Sequence, residues 1–453
     1  MPLDDRSPYS RHLKIAVIGT GIAGMSAAWL LSKSHDVTVY ERGNRIGGHS
    51  NTVDTENQFG TTPVDTGFIV YNELNYPNLT ALFSHLNVPT KESEMSFAAS
   101  LDDGAFEYGG SDIPSMIAQK RNLLRPKFWR MLLDLRRFYQ TGPELLSHPH
   151  AEDISLGDFL DQGQYSDAFI YNHLLPMGAA IWSTAVEEMR DHPALTFVRF
   201  CMSHGLMQVA NRPQWRTVDG GSREYVRRLT ASYADNVQLN CGARKIHRFN
   251  GGKEVMIEDD WGHVSRYDRV VIATHADQAL SMLGDPSVQE RTLLGAFRYT
   301  QNTAVLHTDS GLMPKRKAVW SSWNYLSPIN DRNEKQVNVT YWMNRLQGID
   351  ERTPLFVTLN PHRDIEEQYI KDIILYEHPF YDYAAIKAQR QLWQLQSIHN
   401  TWYCGSYFGY GFHEDALQSG LAAAEAIGGV RRPWTVEDES GRIHLTPEQE
   451  LAA

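Results

Sequence analysis

The sequence is short of cysteine, of long apolar runs and of surplus positive charge, and each shortage closes off a class of function. Only three cysteines occur in 453 residues, Cys201, Cys241 and Cys404. They stand far apart and form no Cys-x-x-Cys. An odd count is a poor disulfide framework, so a reducing, cytoplasmic setting is expected. No uninterrupted apolar stretch reaches the roughly 18 residues that a membrane-spanning helix needs. The amino-terminal stretch holds Asp4 and Asp5 and has no apolar core, so no signal peptide is expected. Acids outnumber bases 54 to 43, a formal charge of −11. That balance argues against a nucleic-acid partner. No His-Glu-x-x-His, paired cysteine or carboxylate cluster points to a metal; His148-Pro-His150 reads as a polar loop, and no metal is expected. Ser203-His204 lacks the Gly-x-Ser-x-Gly turn of a hydrolase. Internal repeats and low-complexity tracts are absent. Apolar residues make up 42% and charged residues 21%, an ordinary globular mixture. At about 150 residues per domain the length suggests two or three domains.

What is present begins at once. Lys14 to Gly19 is a continuous apolar run, as in a buried parallel strand. Gly19-Thr-Gly21-Ile22-Ala23-Gly24 follows, then a helical stretch from Met25 to Ser34, then a strand, Val37 to Tyr40, ending in Glu41. This is a βαβ unit with a dinucleotide fingerprint. Gly19 allows the tight turn, Gly21 admits a pyrophosphate and Gly24 lets helix and strand pack closely. Glu41 follows Gly21 at the distance where a carboxylate accepts ribose hydroxyls and repels a 2′-phosphate, so NADP is disfavoured.

Further strands read at Val237 to Leu239 and Lys253 to Glu258, flanking a turn at Asn250-Gly-Gly252 as a hairpin. Arg269 to Thr274 and Thr401 to Gly405 read as buried strands, and Ala416 to Ile427 as a helix. The expected architecture is α/β. A discontinuous doubly wound, Rossmann-like cofactor domain takes residues 1–75, 215–285 and 395–453. A mixed α+β substrate domain takes 76–214 and 286–394. The first insertion is mostly helical in pattern, with one hairpin around Asp102-Asp-Gly104. The second alternates in strand fashion at Thr303–His307, Val319–Tyr325, Val337–Met343 and Leu355–Leu359, as an antiparallel sheet beside the cofactor would.

After Glu41 comes Arg42-Gly-Asn-Arg45-Ile-Gly47-Gly48-His49, and then Asp65-Thr66-Gly67. Farther on stand Val218-Asp-Gly220-Gly221-Ser222, Ala243-Arg-Lys-Ile246 and the run Tyr403 to Gly420, with Gly405-Ser406 and His413-Glu414-Asp415-Ala416. Together these resemble the flavin amine oxidase and phytoene desaturase superfamily over nearly the whole chain. The resemblance implies bound FAD, held by the residues of these motifs from Gly19 to Ala416. It implies that Ala243 lies in the segment meeting the adenine. It also implies that the helix beginning at His413 aims its N–H groups at the flavin, stabilising negative charge there. Relatives often carry Glu where Ser406 stands, and amine oxidases often place a lysine near the flavin; Lys315 and Lys317 read as exposed instead. Tyr407, Tyr410, Phe412, Trp323 and Tyr341 are expected at the substrate, the first three either as part of an aromatic cage or as ordinary packing against the flavin. The His413-Glu414-Asp415 run reads equally as acid–base groups or as a first turn whose acids suit the dipole. No catalytic base is identified.

Strings such as Trp323-Asn-Tyr325, Val339 to Gln347, Val357 to Pro361 and His378-Pro379 resemble bacterial FAD proteins related to the N-terminal oxidoreductase portion of plant cyclopropane fatty acid synthases. The resemblance implies an FAD-dependent oxidase or desaturase taking hydride from a C–H bond, with a fatty acyl chain or phospholipid as preferred substrate. Two alternatives stay open: an amine oxidase acting on a small amine, and a non-catalytic FAD-containing partner of an acyl-lipid-modifying methyltransferase. A single Gly-x-Gly-x-x-Gly suggests that electrons come from the substrate and leave to oxygen or another carrier. Charge is uneven: seven bases and one acid, Asp134, fall between 120 and 137. With apolar Phe128, Met131 or Leu132, Leu135 and Phe138 at helical spacing, residues 120–138 read either as a helix on an anionic membrane surface, with Trp129 near the headgroups, or as a solvated cavity-wall helix. Cytoplasmic location with peripheral membrane contact is the matching expectation. Oligomeric state is left open.

Overall fold

The computed structural model describes residues 12–208, 212–249, 254–328 and 337–445. The amino-terminal stretch with Asp4 and Asp5, and the turn at Asn250-Gly-Gly252, lie outside these residues.

Five parallel strands form one sheet in the order Val237–Gln238, Asp36–Tyr40, Lys14–Ile18, Arg269–Ile272, Thr401–Tyr403. The central strand is apolar on both faces because helices or loops cover both. Ile15 and Val17 pack with helices Ile22–Leu31 and His413–Ile427, while Ala16 and Ile18 join the larger core on the other side. That period-two division is what a fully buried strand requires. Helix Ile22–Leu31 is buried at every position. Helix His413–Ile427 crosses it so closely that a β-carbon on Gly420 would stand 2.3 Å from the Ala23 carbonyl oxygen.

A second sheet has seven strands, in the order Ile370–Phe380, Arg298–His307, Phe356–Leu359, Val339–Trp342, Trp323–Leu326, Phe97–Leu101, Phe106–Gly109. All neighbours are antiparallel except Trp323–Leu326 beside Phe97–Leu101. The hairpin turn at Asp102, Asp103 and Gly104 takes positive φ at all three residues, which Asp and Gly tolerate best. Helices between Ile113 and Ser203 cover this sheet.

Three expectations are corrected. Helix one starts at Ile22, not Met25, because Gly21 itself is the N-cap. Val237–Gln238 is no hairpin arm; it lies parallel to Asp36–Tyr40. The partner of Glu254–Asp259 is Ala243–Phe249, whose inward Ile246 faces Ile257. Finally, Val337–Met343 shortens to Val339–Trp342, and Met343–Gln347 turns helical, with Asn344 bonding to Asp350 and Thr353 to hold the turn.

Candidate cofactor and substrate site

A cavity of about 780 Å³ opens at the carboxyl ends of the parallel strands, the usual ligand position in a doubly wound sheet. Residues following four of the five strands lie on its wall: Gly19, Glu41, Thr274 and Gly405. Gly24 has no room for a side chain, since a β-carbon would stand 2.0 Å from the Gly19 carbonyl oxygen. Gly21 differs: a β-carbon there would meet nothing within 4 Å, because it faces the open cavity. The helix that starts at Gly21 has no side-chain cap and no acid in its first turn. Its free N–H groups and positive dipole end are left for an anion.

The second glycine loop lies on the first. Gly47 N–H donates to the Thr20 carbonyl at 3.1 Å, and a β-carbon on Gly48 would reach Gly21 Cα at 3.0 Å. Glu41 accepts from Gly43 N–H at 2.7 Å and Thr20 N–H at 3.0 Å. It also accepts from the Thr20 hydroxyl, and its carboxylate still lies on the wall with one lone pair to spare for a ribose hydroxyl. Gly242, beside Ala243, lies on the wall next to Arg42. An anion cradle, an acid one strand over and the first turn of helix His413–Ile427, with His413 and Ala416 on the wall, fit FAD.

Of the expected cofactor residues, Gly19, Gly21, Ile22, Ala23, Glu41, Arg42, Gly48, His49, Thr66, Gly67, Gly405, Ser406, His413 and Ala416 line the cavity. Gly24, Arg45, Gly47, Asp65, Ala243, Glu414 and Asp415 do not. Arg45 donates to the Gly48 and Ser50 carbonyls and so staples the second loop. Asp65 is fully buried; it accepts from Thr52, from the Ser222 N–H and hydroxyl, and from Gln347. Burial pushes its carboxyl up to about 6 against those bonds. Ala243 is buried within its strand. Glu414 accepts from Asn78, Leu79 and Gln418, and Asp415 accepts from Phe412 N–H and faces Arg442 at 3.4 Å. Of the two readings of these acids, the geometry matches the first-turn one.

Beyond the nucleotide end the cavity continues among residues of 95–206 and 323–359. Its wall there is Met95, Phe97, Met116, Tyr139, Met177, Ile181, Phe200, Leu206, Trp323, Tyr341 and Leu359. Trp323 and Tyr341 meet edge to face at 5.1 Å. Phe412 stacks on Phe200 at 4.9 Å, while Tyr407 packs on Phe297 at 5.3 Å. Among the described residues no ring contact joins Tyr407 to Tyr410 or Phe412. Lys315 is spent on Asp103, and neither it nor Lys317 lies on the wall.

Histidines share the cavity wall, among them His275 and His378, which are not among the expected site residues. His49, His275, His378 and His413 all line the cavity. His49 stacks on Tyr376 at 4.8 Å and lies 5.3 Å from His378. Its Nε2 is buried without a hydrogen-bond partner. Burial, then the neighbouring imidazoles, hold its pKa well below the usual range. Burial brings His378 down to about 4 and His413 to about 3, so all three are neutral at pH 7. His413 stacks on Phe68 at 3.8 Å and hydrogen-bonds Ser50 and Tyr225. His275 faces Glu377 at 3.4 Å. Tyr376, Glu377 and His378 sit on strand Ile370–Phe380, which charge and Pro379 disguise in the sequence. Its Ile370-x-x-Ile373 to Tyr376 apolar content is the signal that was available.

The chain matches the family described as flavin containing amine oxidoreductase over residues 22–345. It is similar to "Putative flavin-containing monoamine oxidase AofH" of Mycobacterium tuberculosis, 25% identical over 359 residues, covering 77% of this chain and 71% of that protein. Among solved structures it is similar to cyclohexylamine oxidase from Brevibacterium oxydans, with TM-score 0.66, 15% identity and 92% and 99% of the two chains covered. It is also similar to a CLA-producing fatty acid isomerase from P. acnes, with TM-score 0.63, 16% identity and 91% and 97% covered. These two likenesses speak to the fold.

Proposed function

Because the chain belongs to the flavin containing amine oxidoreductase family, and is an FAD-dependent oxidoreductase, we propose that its substrate is a fatty acyl chain, free or within a phospholipid. The observation that carries this reading is the wall of the substrate end. It is mostly apolar and aromatic, and among the described residues the cavity's two carboxylates, Glu41 and Glu377, are elsewhere. Glu41 sits at the first glycine loop, and Glu377 beside His275, next to Thr274. An amine arrives as an ammonium ion, and desolvating it without a carboxylate costs several kcal/mol. An alkyl chain instead gains about 0.8 kcal/mol for each CH₂ buried. The fold serves both chemistries, as the cyclohexylamine oxidase and fatty acid isomerase relatives illustrate.

Arg212 is the guanidinium on the wall at that end among the described residues; it is exposed, and its charge is felt at the Tyr139 phenol. It would meet an anionic head, a carboxylate or a phosphate. Bound FAD supplies the two-electron oxidant. The chain's own residues lay the alkyl chain along the Trp323–Tyr341 wall and exclude water. Forming a double bond removes a hydride from one carbon and a proton from its neighbour. His49 Nε2 is buried without a partner and held a weak base, so the proton is released to solvent.

The test is anaerobic incubation of the holoprotein with free fatty acids, phospholipids and amines in separate arms. Acyl lipids should bleach the visible flavin absorbance, and the two lipid arms separate carboxylate from phosphate heads. Bleaching by amines without bleaching by either lipid would overturn the reading.

A further inference from the structure

We propose that the outer face of residues 112–137 docks on an anionic lipid bilayer. The face is built from the short helix Ile113–Met116, the turn Lys120–Leu124 and the helix Pro126–Thr141. The long helix turns Phe128, Met131 and Phe138 into the core. Its opposite side is not merely polar. Leu133 is 66% exposed and Trp129 50%; nearby, Leu124 is 86% and Ile113 77% exposed. Four large apolar side chains in one stretch of surface are more than a solvated face needs.

Bases are interleaved with them. Lys120, Lys127, Arg130 and Arg136 are exposed, and among the described residues none of the four is paired with a carboxylate. Of the two acids of the stretch, exposed Asp112 caps the short helix by accepting from Ser115 N–H at 2.7 Å, and Asp134 is turned aside: it accepts from the Ser166 N–H at 2.9 Å and hydroxyl at 2.6 Å, and pairs with Arg137 at 3.0 Å. The face therefore keeps its positive charge while the chain as a whole carries −11. An anionic bilayer repels the rest of the molecule and attracts this side, which sets the orientation. Trp129 and Leu133 then lie at the depth of the headgroup–acyl boundary, with the bases at the phosphates. A second copy of the chain is a poor occupant, because a two-fold contact would set this base-rich patch against itself.

The inner side of the same elements is the acyl chamber wall, through Met116 and Tyr139. Bilayer and chamber thus lie on opposite sides of one layer of helix. The inference extends the acyl reading but stands on residues outside the chamber.

The test is co-sedimentation of the holoprotein with vesicles of phosphatidylglycerol and phosphatidylcholine, against vesicles of phosphatidylcholine alone. Binding should require the anionic lipid and fall steeply with added salt. Each base near an anionic surface contributes about fivefold in partitioning, so Arg130→Glu with Arg136→Glu should lower it more than tenfold. Leu124→Ser with Leu133→Ser should weaken binding while leaving flavin content and the melting temperature unchanged. No anionic-lipid dependence, or binding untouched by both variant pairs, would overturn the proposal. So would a doubled mass in light scattering that either pair abolishes, which would make the face a dimer contact. Vesicle binding without acyl turnover would sink only the substrate reading. Turnover of a dispersed fatty acid without vesicle binding would sink only the docking.

Discussion

Acid should unfold this protein unusually early, and the cause is a set of buried imidazoles. Burial brings His173, His192, His307 and His378 down to about 4, and His204 and His413 to about 3. In the unfolded chain each returns to about 6.5. Between those values the unfolded state binds the proton and the folded state does not. Stability is therefore complete above pH 6.5 and is lost as pH falls below it. From pH 7.5 to 5.5 each imidazole accounts for about 1.3 kcal/mol of lost stability. Asp65 works the other way. Its carboxyl, raised to about 6, binds a proton in the folded state first, which restores about 0.8 kcal/mol over the same range. Over these seven groups the loss is several kcal/mol, on the order of the whole stability of a typical domain, about 5–15 kcal/mol, and His49, also held low by burial, adds to it. Urea titrations at the two pH values, followed by fluorescence and flavin release, measure it. His192→Phe should reduce the loss by about 1.3 kcal/mol, since the ring packs on Trp182 at 4.6 Å and no proton would be taken up. Equal stability at pH 7.5 and 5.5 would refute the burial argument.

Gly21→Val should fold normally yet purify without flavin colour, since the new side chain enters open cavity space; retained flavin absorbance would remove the pyrophosphate assignment. Gly24→Val, by contrast, should fail to give soluble protein, because its β-carbon meets the Gly19 carbonyl; a normal melting curve would contradict that contact. Arg248→Met should cost about 3–5 kcal/mol in chemical denaturation by stranding buried Glu290, which Arg248 holds through both carboxylate oxygens; a cost below 1 kcal/mol would show the pair to be replaceable. Arg212→Ala should raise KM for a free fatty acid with little change in kcat, and an unchanged KM would place the acyl head elsewhere.

The fingerprint from Lys14 to Glu41 was legible because its chemistry is local. A buried strand, a tight turn and a helix start are set by neighbours in sequence, and each glycine has one physical reason to be there. The same holds for the Asp102–Gly104 hairpin and the inward stripe Phe128, Met131, Phe138. Legibility stopped where pairing is long-range. Strand Ile370–Phe380 carries Lys371, Asp372 and Glu377 because it is an edge strand half in solvent, and only its partner Arg298–His307 fixes which face meets the cavity. Asp65 looks like a ligand in a motif; packing shows that its carboxylate is already engaged by Thr52, Ser222 and Gln347.

The sequence by itself determined the cofactor class, through a nucleotide cradle written in adjacent residues. It also determined that the positive charge is concentrated between 120 and 137. Tertiary structure alone decided the rest. It brought His49, His275, His378 and His413 from four distant segments to one wall, left the substrate end without a carboxylate, and turned Asp134 away from the basic face. These are contacts between elements far apart in the chain. Their energies depend on burial and on what stands opposite, neither of which a linear pattern contains.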